Sequence, residues 1–261
     1  MEIYINQIGV NMSIPLILAV AFVVFLGALT RTTFGFGEAV VSMPLLTLLP
    51  IHLHTSVSLM GLVGLTVASL AVATGWRHME RKALIPLVFA ALVGIPIGLV
   101  MVTIVPTKIM TGLLGIALMA YGTYSLTRHF LISTETKDRL HHPLWGVLFG
   151  FASGVFGSAY NFNGVPVAVY GSIRGWHPNN FRSTMQAYFF ISGTLIVAGQ
   201  GMSGMWDIHM FTLYLCSLPA MVTAIIVGTI LHRKIPTVKF QRYVFLLIAT
   251  LGVVLFVKST I

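Results

Sequence analysis

Apolar runs recur along the whole chain, and each is close to the ~20 residues that a helix needs to cross ~30 Å of hydrocarbon. They extend over Ile14 to Thr30, Ser56 to Thr74, Ala83 to Val105, Ile109 to Leu126, Ser183 to Gly199, His209 to Leu231 and Tyr243 to Val257. A transmembrane β-barrel would show ~10-residue segments alternating between apolar and polar side chains, and these runs are apolar throughout. Helices are then the way in which such a chain satisfies its backbone in lipid. Composition closes the soluble alternative: 57% of the 261 residues are hydrophobic and 8% are charged, against about 25% charged in an ordinary soluble domain. Met1 to Ser13 contains no Lys or Arg, and no small-residue cleavage site follows the first run, so that run is expected to be a retained helix.

The formal net charge of +9 raises the question of nucleic acid. The basic residues lie in short loops between spans, where membrane orientation accounts for them, so no nucleic-acid partner is expected. Cys216 is the only cysteine and lies within a span. No disulfide or thiolate metal site can be built from it, and it is expected to pack in the interior. His52 and His54, like His141 and His142, have no carboxylate or thiolate company and read as loop histidines, not metal ligands. Trp76, Trp145, Trp176 and Trp206 sit near span ends, where interfacial anchors belong. HExxH, Walker A and GxSxG motifs do not occur. The chain is therefore not expected to be an enzyme or to carry a cofactor.

The polar stretch from Arg128 to His142 divides the sequence into comparable halves. Phe34-Gly35 through Pro44 matches Phe156-Gly157 through Pro166 at an offset of 122, and Gly98, Pro106 and Thr107 match Gly228, Pro236 and Thr237 at an offset of 130. A longer loop in the second half, Arg174 to Phe181, accounts for the difference. In each half the first span leads into a short run, Ala39 to Pro50 or Gly164 to Ile173. At ~1.5 Å per residue either run spans less than ~20 Å, too short to cross alone. If each forms a hairpin that returns to its starting side, Arg77, Arg81, Lys82, Arg128, Lys137, Arg139, Arg174, Arg182, Arg233, Lys234, Lys239 and Arg242 share one face. Only Lys108 and Lys258 lie on the other. Single crossings would divide these residues evenly, so the charge bias selects the hairpins and makes the crowded face cytoplasmic.

The expected fold is thus an all-α polytopic membrane protein, a single transmembrane domain over 1–261. It comprises two inverted-topology repeats, about 13–127 and 143–258, each a broken or re-entrant helix hairpin followed by three transmembrane helices. Both termini are expected outside the cytoplasm. Inverted repeats with broken helices are the common build of secondary transporters, with the substrate site near the midplane.

The first apex, Thr30-Arg31-Thr32-Thr33-Phe34-Gly35-Phe36-Gly37-Glu38, places two charges where charge is costly, and such residues are functional candidates by default. Gly35 and Gly37 permit unusual backbone dihedrals, and a run beginning at Glu38 presents free N–H groups that attract anions. The guanidinium fork of Arg31 matches the geometry of carboxylate, sulfonate or phosphate. The structural alternative is that Arg31 and Glu38 only pair with each other, or that Arg31 reaches the interface. The second apex, Ser158 to Gly164, carries Tyr160, Asn161 and Asn163 but no charge. It either completes the site from the opposite side or caps its own broken backbone. Thr55-Ser56 and Ser183-Thr184 open the next spans and read as N-caps, whereas Gln186 lies a turn inside.

Gly35-x-Gly37 followed by Pro44-Leu45-Leu46, with Gly157 and Pro166 at the matching positions after the central loop, resembles the TauE/SafE sulfite exporter family of membrane permeases. Gly146, Gly150, Gly154 and Gly157 are similar to that family's glycine-spaced helix. The resemblance spans nearly the whole chain and implies movement, commonly outward, of sulfite, sulfonates and related small organic anions. The family's usual pattern has three glycines where this chain has Gly37-Glu38-Ala39, and again where it has Ala159-Tyr160-Asn161. This points to a larger or differently charged substrate, or to a proton-coupling role for Glu38.

The expectation from sequence is a secondary transporter, an exporter by resemblance, of a small organic or sulfur-containing anion. Its substrate site would use Arg31, Thr32, Thr33, Gly35, Gly37, Glu38, Tyr160, Asn161, Asn163 and Gln186. The rival readings are a channel-like or accessory membrane component and an importer of the same substrates. The cell (inner) membrane is the expected location. A small anionic substrate and the lipid bilayer are the expected partners, and the sequence allows a homo-oligomer without requiring one.

Overall fold

The computed structural model describes residues 13–72, 79–131, 143–234 and 237–260. They form α1 (Ile14–Phe34), α2 (Glu38–Leu48), α3 (Leu53–Val72), α4 (Arg81–Ile104), α5 (Thr107–Leu131), α6 (Pro143–Tyr160), α7 (Gly164–Ile173), α8 (Pro178–Met202), α9 (Ile208–Lys234) and α10 (Thr237–Thr260). No strand occurs among the described residues. Trp76, Lys137 and both chain ends, on which several sequence expectations fall, lie outside them.

Five helices, α1, α3, α4, α5 and α9, are long and apolar enough to cross a membrane. Large apolar side chains such as Phe22, Phe89, Ile104 and Ile226 face outward, while Arg31, Glu38, Gln186 and Gln200 are buried. A lipid-facing surface around a polar centre accounts for this distribution. Cys216 departs from expectation: it is exposed on α9, because its neighbour Ser217 takes the buried face of that helix. The segment expected as a loop up to Phe181 also differs. Pro178 sits at the start of α8, where its fixed φ and missing N–H suit a helix start, so helix begins four residues before Arg182. Ser183 and Thr184 consequently lie within the helix and do not cap it.

Small residues let the helices approach closely, as packing in lipid requires. On the α4–α6 contact, a Cβ placed at Gly154 would fall on the Ala91 backbone, 2.8 Å from its Cα; on the α5–α10 contact, one at Gly115 would lie 2.7 Å from the Gly252 carbonyl. The packing follows a two-fold pattern. α6 lies on α4 as α1 lies on α9, α3 lies on α8, and α5 lies on α10.

Two polar clasps join α3–α4 to α8–α9. Asp207, just before α9, accepts a hydrogen bond from Thr55 Oγ1 at 3.2 Å and caps α9 through Met210 N–H at 2.6 Å. Glu80, just before α4, donates its N–H to Thr184 Oγ1 at 2.9 Å and accepts from Asn180 Nδ2 at 2.7 Å. Thr55 belongs to the first turn of α3. Thr184 belongs to the start of α8, which borders a cavity with Leu70 and Ala71 at the opposite end of α3. A 20-residue helix is ~30 Å long, so the clasps stand at opposite ends of the bundle.

Candidate functional site

The site grows from a chain reversal. α1 ends at Phe34, and Gly35 takes the left-handed conformation (φ 88°) while donating its N–H to the Arg31 carbonyl at 2.6 Å. Gly37 is left-handed as well (φ 96°), and α2 begins at Glu38 with no side-chain cap on its first turn. Side chains with a Cβ rarely adopt these dihedrals. α2 then runs back along α1, where Ser42 Oγ donates to the Val23 carbonyl at 3.1 Å. Lys258 Nζ reaches the Thr47 carbonyl at 3.1 Å, placing the end of α10 beside the end of α2.

The reversal brings Arg31, in the last turn of α1, against Glu38, the first residue of α2. Arg31 Nη1 donates to Glu38 Oε2 at 2.6 Å and to the Gly64 carbonyl at 2.9 Å. The guanidinium carbon lies 4.4 Å from the ring centroid of Phe189, within range of a cation–π contact. Arg31 is 4% and Glu38 5% exposed. Gly64 lies eleven residues beyond Leu53 and eight before Val72, so the pair sits near the middle of α3. Three of its polar atoms are buried without a partner among the described residues: Arg31 Nε, Arg31 Nη2 and Glu38 Oε1. Nε and Nη2 form the side edge of the guanidinium, two parallel donors suited to two oxygens of one anion.

The second reversal is built from amides. Asn161 is left-handed (φ 59°), the one non-glycine residue with positive φ among the described residues. Its Nδ2 donates to the Val57 carbonyl at 2.5 Å, and Asn163 Nδ2 donates to Ser192 Oγ at 2.9 Å. Ser153 Oγ donates to the Asn163 carbonyl and accepts from Tyr188 O–H at 2.6 Å. These bonds anchor the break between α6 and α7 to α3 and α8, while Asn161 and Asn163 also face the central cavity.

That cavity has a volume of about 40 Å³ for the centre of a water-sized sphere, where a single water needs ~10–15 Å³. Its walls are the start of α2 (residues 37–40), residues 161–165 at the start of α7, Gly61 and Gly64 of α3, Phe189 and Gly193 of α8, and Arg31. Both half-helix N-termini therefore converge on it. A second cavity of about 400 Å³ lies toward the start of α8, lined by Thr32, Arg182, Ser183, Gln186 and Thr229, and again by Arg31. Arg31 forms part of the wall of both.

The structure thus gathers Arg31, Gly37, Glu38, Asn161 and Asn163 around the small cavity, and Thr32 and Gln186 around the larger one. Gln186 Nε2 donates to the Gly35 carbonyl at 3.0 Å, supporting the reversal, and its Oε1 is buried without a partner. Thr32 and Thr33 donate to carbonyls of their own helix, both at 2.7 Å. Tyr160 turns away from the cavity and donates to the Met110 carbonyl at 2.8 Å. Gly64, Phe189, Gly193 and Arg182 enter the cavity walls although they were not among the candidates. The spacing Gly61-x-x-Gly64 in the middle of a span was the available signal, since mid-span glycines mark close approach. His54 Nε2 lies 2.8 Å from the Val102 carbonyl.

Apolar outer faces, helices broken at mid-bundle and a buried charge pair between two cavities define a polytopic membrane transport protein. The chain belongs to the sulfite exporter TauE/SafE family, whose family model matches residues 19–255. Neither the curated proteins nor the solved structures give a match.

Proposed function

We propose that this permease is a secondary transporter of a small organic or sulfur-containing anion, such as sulfite, a sulfonate or a related carboxylate, and that it works as an exporter in the cell membrane. The carrying observation is the partnerless Nε–Nη2 edge of Arg31, buried at mid-bundle in the wall between two cavities. A buried cation with two parallel free donors is complementary to an oxyanion, and the first-turn N–H groups of α2 add the attraction of a helix N-terminus. Gly37, Glu38, Asn161 and Asn163 form the rest of the binding wall. Thr32 and Gln186 line the approach beside Arg182, while Thr33, Gly35 and Tyr160 hold the apices in place.

In this reading residues 13–127 and 143–258 are inverted repeats and both termini lie outside. The Glu80–Thr184 and Asp207–Thr55 clasps then close opposite ends in turn. The larger cavity reaches Arg31 from the end rich in basic residues, which is the cytoplasmic end under the charge bias.

A thermal-shift screen of the purified protein against sulfite, methanesulfonate and acetate tests the assignment. A ligand at ~100 times its Kd stabilises by ~2.7 kcal/mol, and a binder should then show saturable, gradient-dependent flux in proteoliposomes. No shift with any oxyanion rejects the assignment, and non-saturating conductance favours a channel.

A further inference from the structure

The atoms of the central pair have an uneven set of partners. Arg31 Nη1 is bonded to Glu38 Oε2 and to the Gly64 carbonyl, while Nε, Nη2 and Glu38 Oε1 have none. With the site empty, guanidinium and carboxylate sum to zero charge. A monoanion placed on the Nε–Nη2 edge would leave a net charge of −1 in a buried site, with Glu38 Oε1 repelling it, and an uncompensated buried charge is strongly disfavoured. No other cation lines the small cavity among the described residues. α3 contributes Met60, Gly61, Gly64 and Leu65, and α8 contributes Phe189, Gly193 and Ile196. Arg182 borders only the larger cavity, and Tyr121 of α5 faces the Gly37–Val40 segment from an apolar pocket. Lys258, at the far end of α2, is bonded to the Thr47 carbonyl. The missing positive charge must therefore arrive with the anion.

We propose that Glu38 is the proton site of this carrier, and that one proton is bound and carried with each monoanion. The inference rests on the anion reading above. The proton adds to Glu38 Oε1, converting carboxylate to carboxylic acid. Arg31 stays protonated, and Oε2 continues to accept from Nη1. The new O–H becomes a third donor to the anion beside Nε and Nη2, so the group that repelled the ligand now binds it. Loaded and empty sites are then both neutral. The empty site, neutralised by its own carboxylate, can change its access without cargo, so the protein carries net flux and is not restricted to exchange. The coupling sets stoichiometry, while direction follows the combined gradients of anion and proton.

Methanesulfonate, which stays singly charged from pH 5 to 9, serves as the probe in proteoliposomes of the full chain. In the wild type, an inward proton gradient of one pH unit should drive about tenfold accumulation, the ratio equivalent to 1.4 kcal/mol, and a protonophore should abolish it. A potassium diffusion potential should leave wild-type uptake unchanged, because the loaded step moves no net charge. E38Q should lose the response to the proton gradient. Wild-type uptake that follows the potential and ignores the pH gradient overturns the proton proposal while leaving anion transport intact, and an unaltered gradient response in E38Q does the same. If E38Q carries no flux, the wild-type potential measurement decides. Absence of wild-type flux and of thermal stabilisation by methanesulfonate, sulfite and acetate overturns the anion reading itself, and the proton proposal with it.

Discussion

Replacing Arg31 by lysine separates its two roles. The Nη1 atom makes the bonds to Glu38 at 2.6 Å and to the Gly64 carbonyl at 2.9 Å, whereas Nε and Nη2 are free. A lysine ammonium reaching the Nη1 position retains the pair with Glu38 and the bond to Gly64, but it has no second edge to present in parallel. If anions bind to that edge, R31K keeps its fold and loses a charge-assisted contact of ~1.5–3 kcal/mol. The apparent affinity should fall by about 10- to 150-fold, as read from the ligand concentration that half-saturates the thermal shift. R31A is a different perturbation: it leaves Glu38 buried without its cation, which costs ~3–5 kcal/mol of stability. The double variant R31A/E38A removes both charges and should regain thermal stability without regaining anion binding. An R31K protein that binds within twofold of the wild type, or a double variant that recovers full affinity, would reduce Arg31 to a structural partner of Glu38.

Three further tests address the frame around the site. Single cysteines in a Cys216→Ala background should react with an impermeant reagent from outside at positions 11 and 261 and be protected at 137 and 234; equal reactivity at all four would refute the hairpin topology. Gly154→Leu should disrupt the α4–α6 contact, because its Cβ would meet the Ala91 backbone; overpacking costs ~1–3 kcal/mol, visible as a lower Tm in detergent, and an unchanged Tm would contradict the close approach. Asp207→Ala removes both the cap of α9 and the clasp to Thr55, so stability should fall by ~0.5–2 kcal/mol, with Asp207→Asn intermediate; a wild-type Tm in both would show that the clasp contributes nothing.

Much of the frame was legible from the order of the residues because membrane spans depend on local composition. The short runs Ala39 to Pro50 and Gly164 to Ile173 marked the breaks, since neither is long enough to cross the bilayer; the helices found there have 11 and 10 residues. The charge pair was legible for a related reason: two left-handed glycines between Arg31 and Glu38 turn a separation of seven residues into a contact. The rest of the cavity depends on long-range packing. Phe189 meets the guanidinium only because α3 and α8 lie side by side, and no local pattern distinguishes it from Phe190. Tyr160 and Asn161 are adjacent in sequence yet point to different places, one to Met110 and the other to Val57. The rotation of α6 that decides this is set by its contact with α4. The exposed position of Cys216 on α9 is not legible for the same reason, since composition identifies a span but not which of its faces meets lipid.

The 122-residue offset between the hairpins bears on how many sites the frame encloses. It aligns Arg31 with Ser153 and Glu38 with Tyr160, while a 129-residue offset aligns Gly64 with Gly193 and Thr55 with Thr184. Gly64 and Gly193 both line the central cavity, and Thr55 and Thr184 both close a clasp. Framework positions thus carry matching residues, whereas the positions that supply chemistry do not. Where the first hairpin has a guanidinium and a carboxylate, the second has Ser153, bonded to the Asn163 carbonyl, and Tyr160, bonded to Met110. A frame with a two-fold packing pattern therefore encloses a centre with one cation and one carboxylate. Two equivalent anion sites would require the Arg31 counterpart to be basic, so on the proposed anion reading the arrangement provides for one anion per chain. Binding stoichiometry by calorimetry on the purified protein should accordingly saturate at one methanesulfonate per chain, and S153R, which adds the missing cation, should disrupt the Ser153–Asn163–Tyr188 network and destabilise the protein without creating a second site. Saturation at two per chain in the wild type would show that charge placement does not set the number of sites.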